Sequence, residues 1–237
     1  IVNSDWSSDV CSSDLGKGIP VRKFVPAYEG NLRKHALSVP RCISECSGIR
    51  VFGRRIKSLV FSTDVAIIKN INADAIIAVY PFTPQPAITQ AIIGVSEVPV
   101  FCGVGGGLTN GVRSASMAAY VEHQGAYGVV CNSKIGVETI HAIKDAVEIP
   151  VVYTVISENT DIQPYLTAGV DIINVSGAAR TPEIVGTLRQ RYPELPIIAT
   201  GGPTEESILA TIRAGANAIT YRSEERRVGK ECRSRWS

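Results

Sequence analysis

The chain has 237 residues, 45% of them hydrophobic and only 6% aromatic, with 24 Lys and Arg against 22 Asp and Glu. That length suffices for one well-buried domain, and no apolar run approaches the roughly 20 residues of a membrane-spanning helix. No signal-peptide pattern is present, and two cysteines fall in strand-like apolar runs, which favours free thiols over a disulfide framework and points to the cytoplasm.

The two ends read differently from the rest. DWSSDVCSSDL (5–15) and RSEERRVGKECRSRWS (222–237) look like translated sequencing-library adapters, with residues 1–4 as index sequence upstream. Residues 1–15 and 222–237 are therefore set aside as artefact before the fold is considered. Both tryptophans leave with them, as do Cys11 and Cys232, so Cys42, Cys46, Cys102 and Cys131 remain. The next segment, 16–57, holds ten basic residues against Glu29 and Glu45, whereas acidic residues outnumber basic ones over 58–221. This asymmetry predicts a basic N-terminal arm. It ends in a hairpin, with IRVF (49–52) and IKSLVF (56–61) flanking Gly53-Arg54-Arg55. Nucleic-acid binding is disfavoured for the arm, which lacks aromatic interleaving. A solvated arm or a contact in a homo-oligomer is the favoured reading.

From Ser58 to Tyr221 a unit repeats: a short β-branched apolar run, a turn, then a segment of helical period. The runs are SLVFS (58–62), AIIAVY (75–80), VPVFCG (98–103), YGVVCN (127–132), PVVYTVIS (150–157), DIINVSG (171–177), PIIATGG (196–202) and NAITY (217–221). Almost wholly apolar strands suit a sheet buried on both faces, and helical connections make neighbours parallel through right-handed crossovers. The prediction is an α/β protein, a (βα)8 barrel over 58–221 that lacks its last helix. A doubly wound open sheet is the competitor. With the chain cut after the eighth strand, an apolar groove is expected over the last and first strands. Thr83-Pro84, Thr181-Pro182 and Thr160-x-x-Gln163 are read as helix starts. Gly125, Gly169 and Gly215 are read as helix exits. Ala168-Gly169-Val170-Asp171 recurs as Ala214-Gly215-Ala216-Asn217.

In such a barrel the chemistry sits at the C-terminal ends of the strands. Asp64 and Glu158 are the acids placed directly after the first and fifth runs, and are candidates for general acid and base. Capping of the next helix by Asp64, and plain solvation of Glu158, are their structural alternatives. Tyr80, Thr83, Cys102, Gly103, Asn132, Asn174 and Ser176 are expected to line a substrate pocket. GVGGG (103–107) is a ligand approach or a mobile lid, and not a dinucleotide fingerprint, because Leu108 stands where the third glycine should be. His35, His123 and His141 fall in the arm or in helices, so no metal centre is expected.

IINVSG (172–177) and IIATGGPTEESI (197–208) resemble the phosphate-binding, aldolase-type TIM barrels, the broad group that includes thiamine-phosphate synthase-like and ribulose-phosphate-binding enzymes. The resemblance covers the barrel portion. It implies that Gly177, Thr200, Gly201 and Gly202 present backbone to a phosphate, with Arg180 reaching the same anion. Pro203 removes a donor there, and Glu205 and Glu206 oppose an anion. Asn174 stands where some class I aldolases carry their Schiff-base lysine, which leaves Lys134 as the only candidate for that role. The expected activity is proton transfer on a small phosphorylated metabolite, as a lyase, isomerase or synthase, with no cofactor required. An FMN-dependent oxidoreductase, a hydrolase and a non-catalytic ligand-binding barrel are the alternatives.

Overall fold

The computed structural model describes Pro26 and residues 37–222. The adapter-like segments, apart from Arg222, and residues 16–25 and 27–36 of the basic arm lie outside the described residues.

A 3-10 turn (Arg41–Glu45) leads into a hairpin of β1 (Ile49–Val51) and β2 (Arg54–Ile56). The two-residue turn between them has positive φ at both Phe52 and Gly53, at 45° and 80°, as the tightest hairpins require. Eight strands follow: β3 (Ser58–Phe61), β4 (Ala75–Ala78), β5 (Val100–Gly105), β6 (Gly128–Cys131), β7 (Val151–Val155), β8 (Ile172–Val175), β9 (Ile197–Thr200) and β10 (Ala218–Tyr221). They are parallel, and they close in the order β10-β3-β4-β5-β6-β7-β8-β9. Between them run α1 (Val65–Asn70), α2 (Pro86–Val95), α3 (Val112–His123), α4 (Val137–Lys144), α5 (Gln163–Thr167), α6 (Thr181–Arg191) and α7 (Glu205–Arg213). The closed sheet excludes the open doubly wound alternative.

Alternate residues of each strand enter two separate cores. Leu59, Ile77, Phe101, Val130, Val152 and Ile198 pack inside the barrel, where Val51 and Ile56 of the hairpin join them. Their neighbours Val60, Ile76, Cys102, Cys131, Ile173 and Ile219 pack outward with the helices. The hairpin thereby plugs the N-terminal end of the barrel and leaves the C-terminal end as the open one. Val60 and Ile219 are fully buried, and Ile43 of the 3-10 turn lies in their cluster. The apolar groove expected over β10 and β3 is not open among the described residues.

The recurring Asp or Asn before a strand has a structural reason. Asp74 Oδ2 accepts from the backbone N–H groups of Lys57 and Ser58 and from the Ser58 hydroxyl, at 2.9–3.0 Å. Asp171 Oδ2 accepts from Val151 N at 2.9 Å, and Asn217 Oδ1 from Ile197 N at 2.9 Å. Each residue heads one strand and satisfies the exposed donor that begins the strand before it. The glycine exits are borne out, with φ of 92°, 106° and 110° at Gly125, Gly169 and Gly215.

The helix starts are corrected. α2 begins after Gln85, at Pro86, because Tyr80 accepts from Gln85 N at 2.7 Å and keeps the preceding loop extended. α5 begins after Ile162 and shows no capping box. Thr181 lies within α6, and its hydroxyl accepts from Gly177 N at 3.0 Å. β5 runs two residues beyond the expected strand, to Gly105, through an irregular register opposite β6.

Asp74→Ala strands the donors at the start of β3, and urea unfolding is expected to show a loss of about 2 kcal/mol. Asp74→Asn, which keeps an acceptor, should lose less than half of that.

Candidate active site

The period-two alternation that fills the barrel also decides what its open end displays. The C-terminal ends of the strands surround a cavity of about 710 Å³. Thr154 on β7 pairs in register with Asn174 on β8, and Thr200 on β9 with Thr220 on β10. With Asn132 and Ser176 these side chains make a neutral polar wall over the second half of the barrel. The first half is different: Phe61, Ile77, Val79 and Gly103 face the same cavity from β3, β4 and β5. The loops above that half carry Phe82 and Leu108 at the rim, 74% and 94% exposed.

The polar wall is incompletely satisfied within the protein. Asn174 Nδ2 donates to Thr154 Oγ1 at 3.3 Å, and the Thr200 and Ser176 hydroxyls lie 3.4 Å apart. The Asn174 Oδ1 and Thr220 Oγ1 atoms are buried and have no partner. Exchanging the two ends of the Asn174 amide would move the orphan to the nitrogen and not remove it. A buried polar atom without a partner is costly in a protein interior, and these two belong to residues that line the cavity.

Two cationic side chains are among the described residues that line the cavity: Arg222, of the adapter-like tail, and Lys134. The lysine lines the cavity from the loop after β6, and its ammonium pairs with no carboxylate among the described residues. Its position is fixed from three directions. Asn132 Oδ1 accepts from Lys134 N at 2.9 Å. Tyr153 donates its hydroxyl to the Ser133 carbonyl at 3.4 Å, and Tyr165 donates to the Ile135 carbonyl at 3.1 Å. The two tyrosine rings stack at 4.1 Å, so one aromatic pair holds the backbone on both sides of the lysine. Burial raises the Tyr153 phenol above its ordinary range, with the hydrogen bond to Tyr165 second, so that hydroxyl stays a donor.

The glycine loop after β5 is explained by contact. Gly106 has φ of 111°, and a Cβ there would collide with Asn132 Oδ1. The loop turns back on itself through a 2.8 Å bond from Gly106 N to the Thr109 carbonyl, which makes it a formed turn lying over Asn132.

Of the residues singled out in the sequence, Tyr80, Thr83, Gly103, Asn132, Lys134, Asn174, Ser176 and Thr200 come together around the cavity, as do Gly105, Gly106 and Gly107 of the glycine loop. The others do not line it. Cys102 follows the inward Phe101 by one residue and therefore points into the helix layer, 1% exposed. Asp64 caps α1, accepting from Ala66 N at 2.8 Å and Ile67 N at 3.3 Å. Glu158 is in an ion pair with Arg180, so each holds the other and Arg180 does not reach an anion at the glycines. A Cβ on Gly177 would collide with Ile184, and one on Gly201 would meet Ile219 at 2.7 Å and Ile208 at 2.8 Å. These two glycines admit helix side chains against the strands. Gly202 sits against Ser207, whose hydroxyl and that of Thr204 close a capping box at the start of α7.

Those packed glycines, with Glu205 and Glu206 in the first turn of α7, do not fit a phosphate or the phosphate of FMN at this place. The strand-end residues that sequence reasoning passed over, Phe61, Val79 and Thr220, are the last inward-facing positions of their strands. Strict alternation from Leu59, Ile77 and Ala218 would have found them. No group of three or more His, Cys, Asp and Glu able to hold a metal ion exists among the described residues, and no helix among them is long and apolar enough to cross a membrane.

Burial pushes the Cys46 thiol up to about 11 and those of Cys102 and Cys131 up to about 12, while Cys42 is raised less and remains partly exposed. Peptide-resolved iodoacetamide labelling of the native protein at pH 8 should therefore modify Cys42 well before the other three, which react together on unfolding. Asp64→Ala should cost about 1 kcal/mol in urea unfolding, the worth of a helix cap, and should leave ligand affinity unchanged in calorimetry.

No protein-family model matches the chain, and no curated protein matches it. Solved structures do. A phosphonopyruvate hydrolase in complex with oxalate and Mg²⁺ aligns at TM-score 0.59 and 16% identity, over 76% of this chain and 80% of that one. A phosphoenolpyruvate phosphomutase from Streptomyces platensis subsp. rosaceus aligns at 0.58 and 16%, over 75% and 80%. A mandelate oxidase aligns at 0.56 and 14%, over 75% and 68%. At such identity the likeness shows a shared TIM-barrel fold.

Proposed function

We propose that the chain is a TIM-barrel enzyme that binds a small anionic metabolite, phosphorylated or a 2-oxo acid, at the C-terminal mouth and moves a proton on it. The observation that carries the reading is the cavity lining: one lysine, its loop held at three points, faces the same cavity as the buried Asn174 Oδ1 and Thr220 Oγ1 atoms that lack partners. Lys134 would take the anionic oxygens, since a charge-assisted hydrogen bond is among the stronger contacts available at such a site. Asn174 and Thr220 would satisfy their orphaned atoms on the substrate's carbonyl or hydroxyl. Developing negative charge on that oxygen is then met by fixed dipoles that need no reorganisation. Tyr80 and Lys134 are the residues on the wall able to carry the proton. Structural neighbours named for phosphonopyruvate and phosphoenolpyruvate chemistry support a small anionic substrate.

A second reading, a ligand-binding barrel without turnover, is favoured by one observation: no carboxylate or histidine is among the described residues that line the cavity. The same composition disfavours hydrolysis, which needs a group to activate water. Neither leading reading calls for a flavin.

Solvent exchange separates the two. Incubated in D2O with pyruvate, 2-oxobutyrate or dihydroxyacetone phosphate, the enzyme should exchange the C–H next to the carbonyl faster than buffer, followed by proton NMR. Lys134→Ala should abolish exchange and weaken binding by about tenfold, the worth of one charged hydrogen bond. Binding without exchange for all three would decide for the non-catalytic barrel.

A further inference from the structure

The two halves of the mouth differ in kind, and strand register produces the difference. On β7 to β10 the last inward side chains are Thr154, Asn174, Thr200 and Thr220; on β3 to β5 they are Phe61, Val79 and glycines. Lys134 follows β6, the strand between the two halves, and lines the same cavity. Above the apolar side, Phe82 and Leu108 continue the same surface to the rim and remain exposed. They come from loops after neighbouring strands, β4 and β5, which pair in register from Ile76 to Ala78, so the two loops share one wall. Of the seven large exposed apolar side chains among the described residues, Phe82 and Leu108 are the two that line the cavity. Large exposed apolar side chains grouped at a cavity mark contact with an apolar partner group.

We infer that the ligand is amphiphilic: an anion whose polar head meets Lys134 and the Asn174–Thr220 wall, and whose apolar chain or ring lies along Phe61, Val79, Phe82 and Leu108. The inference rests on the anion-binding reading above and adds the class of substituent the anion carries. The cavity, at about 710 Å³, is large for a three-carbon acid and suits one with several further carbons. Phe82 and Leu108 touch the distal part of the ligand and act as specificity residues, with no part in the chemistry at the head.

Calorimetric titration with methyl phosphate and hexyl phosphate tests it on the full chain. Hexyl phosphate should bind at least about tenfold more tightly, as burial of only two methylenes would supply. In the F82D/L108D double variant, where both changes are at exposed positions and the melting temperature should hold, the ratio of hexyl to methyl phosphate affinity, in which the repulsion of the shared phosphate by the new carboxylates cancels, should fall below about threefold. Equal affinities for the two esters, or a chain advantage that survives the double substitution, would overturn the amphiphile inference. In those cases weaker binding of methyl phosphate to Lys134→Ala would still uphold the anion reading. A chain advantage sensitive to F82D/L108D but indifferent to Lys134→Ala would keep the apolar wall and reject the anion reading. Binding of neither ester would reject both.

Discussion

Everything at the mouth depends on the pairing of β10 with β3, where Ile219, Thr220 and Tyr221 lie opposite Ser58, Leu59 and Val60. Strands alternate their side chains between faces, so a slip of one residue at this seam would turn the inner set outward. Closure removes that freedom. It also removes the sheet edges, which an open sheet would have to protect. The seam is supported from below. Gly48 N donates to the Asn217 carbonyl at 2.8 Å, and the Asn217 amide donates to Ser47 at 2.9 Å. Ile219 N donates to the Lys57 carbonyl at 2.9 Å. The residues that lead into the hairpin thus fasten the last strand to the first.

A second consequence is the division of labour between the two ends. The closed end carries the hairpin plug and the Asp74, Asp171 and Asn217 acceptors, each spent on a strand's own backbone. The open end has the opposite character. Its polar side chains bond weakly to one another or to nothing, as at Asn174 and Thr220. Polar groups whose partners are internal stabilise the fold, and those left without partners are available to a ligand. By that criterion the Asp74, Asp171 and Asn217 acceptors stabilise the closed end, and the open end carries the polar atoms left without partners. The loop with Lys134 belongs to the top but is braced from the helix layer by Tyr153 and Tyr165. That is how an exposed side chain acquires a fixed origin.

The ion pair of Glu158 with Arg180 joins the loop after β7 to the one after β8. Both groups are partly open to water, which limits what such a pair adds to stability. Its effect is on placement: two side chains that could each have reached toward a ligand are engaged with each other. This leaves Lys134 as the cation of the wall outside the adapter-like tail.

The sequence by itself determined the architecture. Eight apolar runs with helical spacers admit few arrangements, and short strands hydrophobic on both faces need helices outside and side chains inside. Glycine exits and the recurring Asp or Asn were legible because backbone conformation and strand-end donors act locally. The candidate site was legible in part, and the boundary is physical. Residues such as Asn132, Asn174 and Thr200 could be named because the C-terminal ends of strands form the mouth in any such barrel. Whether a strand-end residue faces the cavity or the helices depends on register around the closed sheet, which is a property of all eight strands together. Only the tertiary structure could send Cys102 outward, spend Asp64 on α1, give Glu158 to Arg180 and pack Ile208 and Ile219 against Gly201. Each of those outcomes is settled by packing and register in the closed barrel, and no local pattern encodes it.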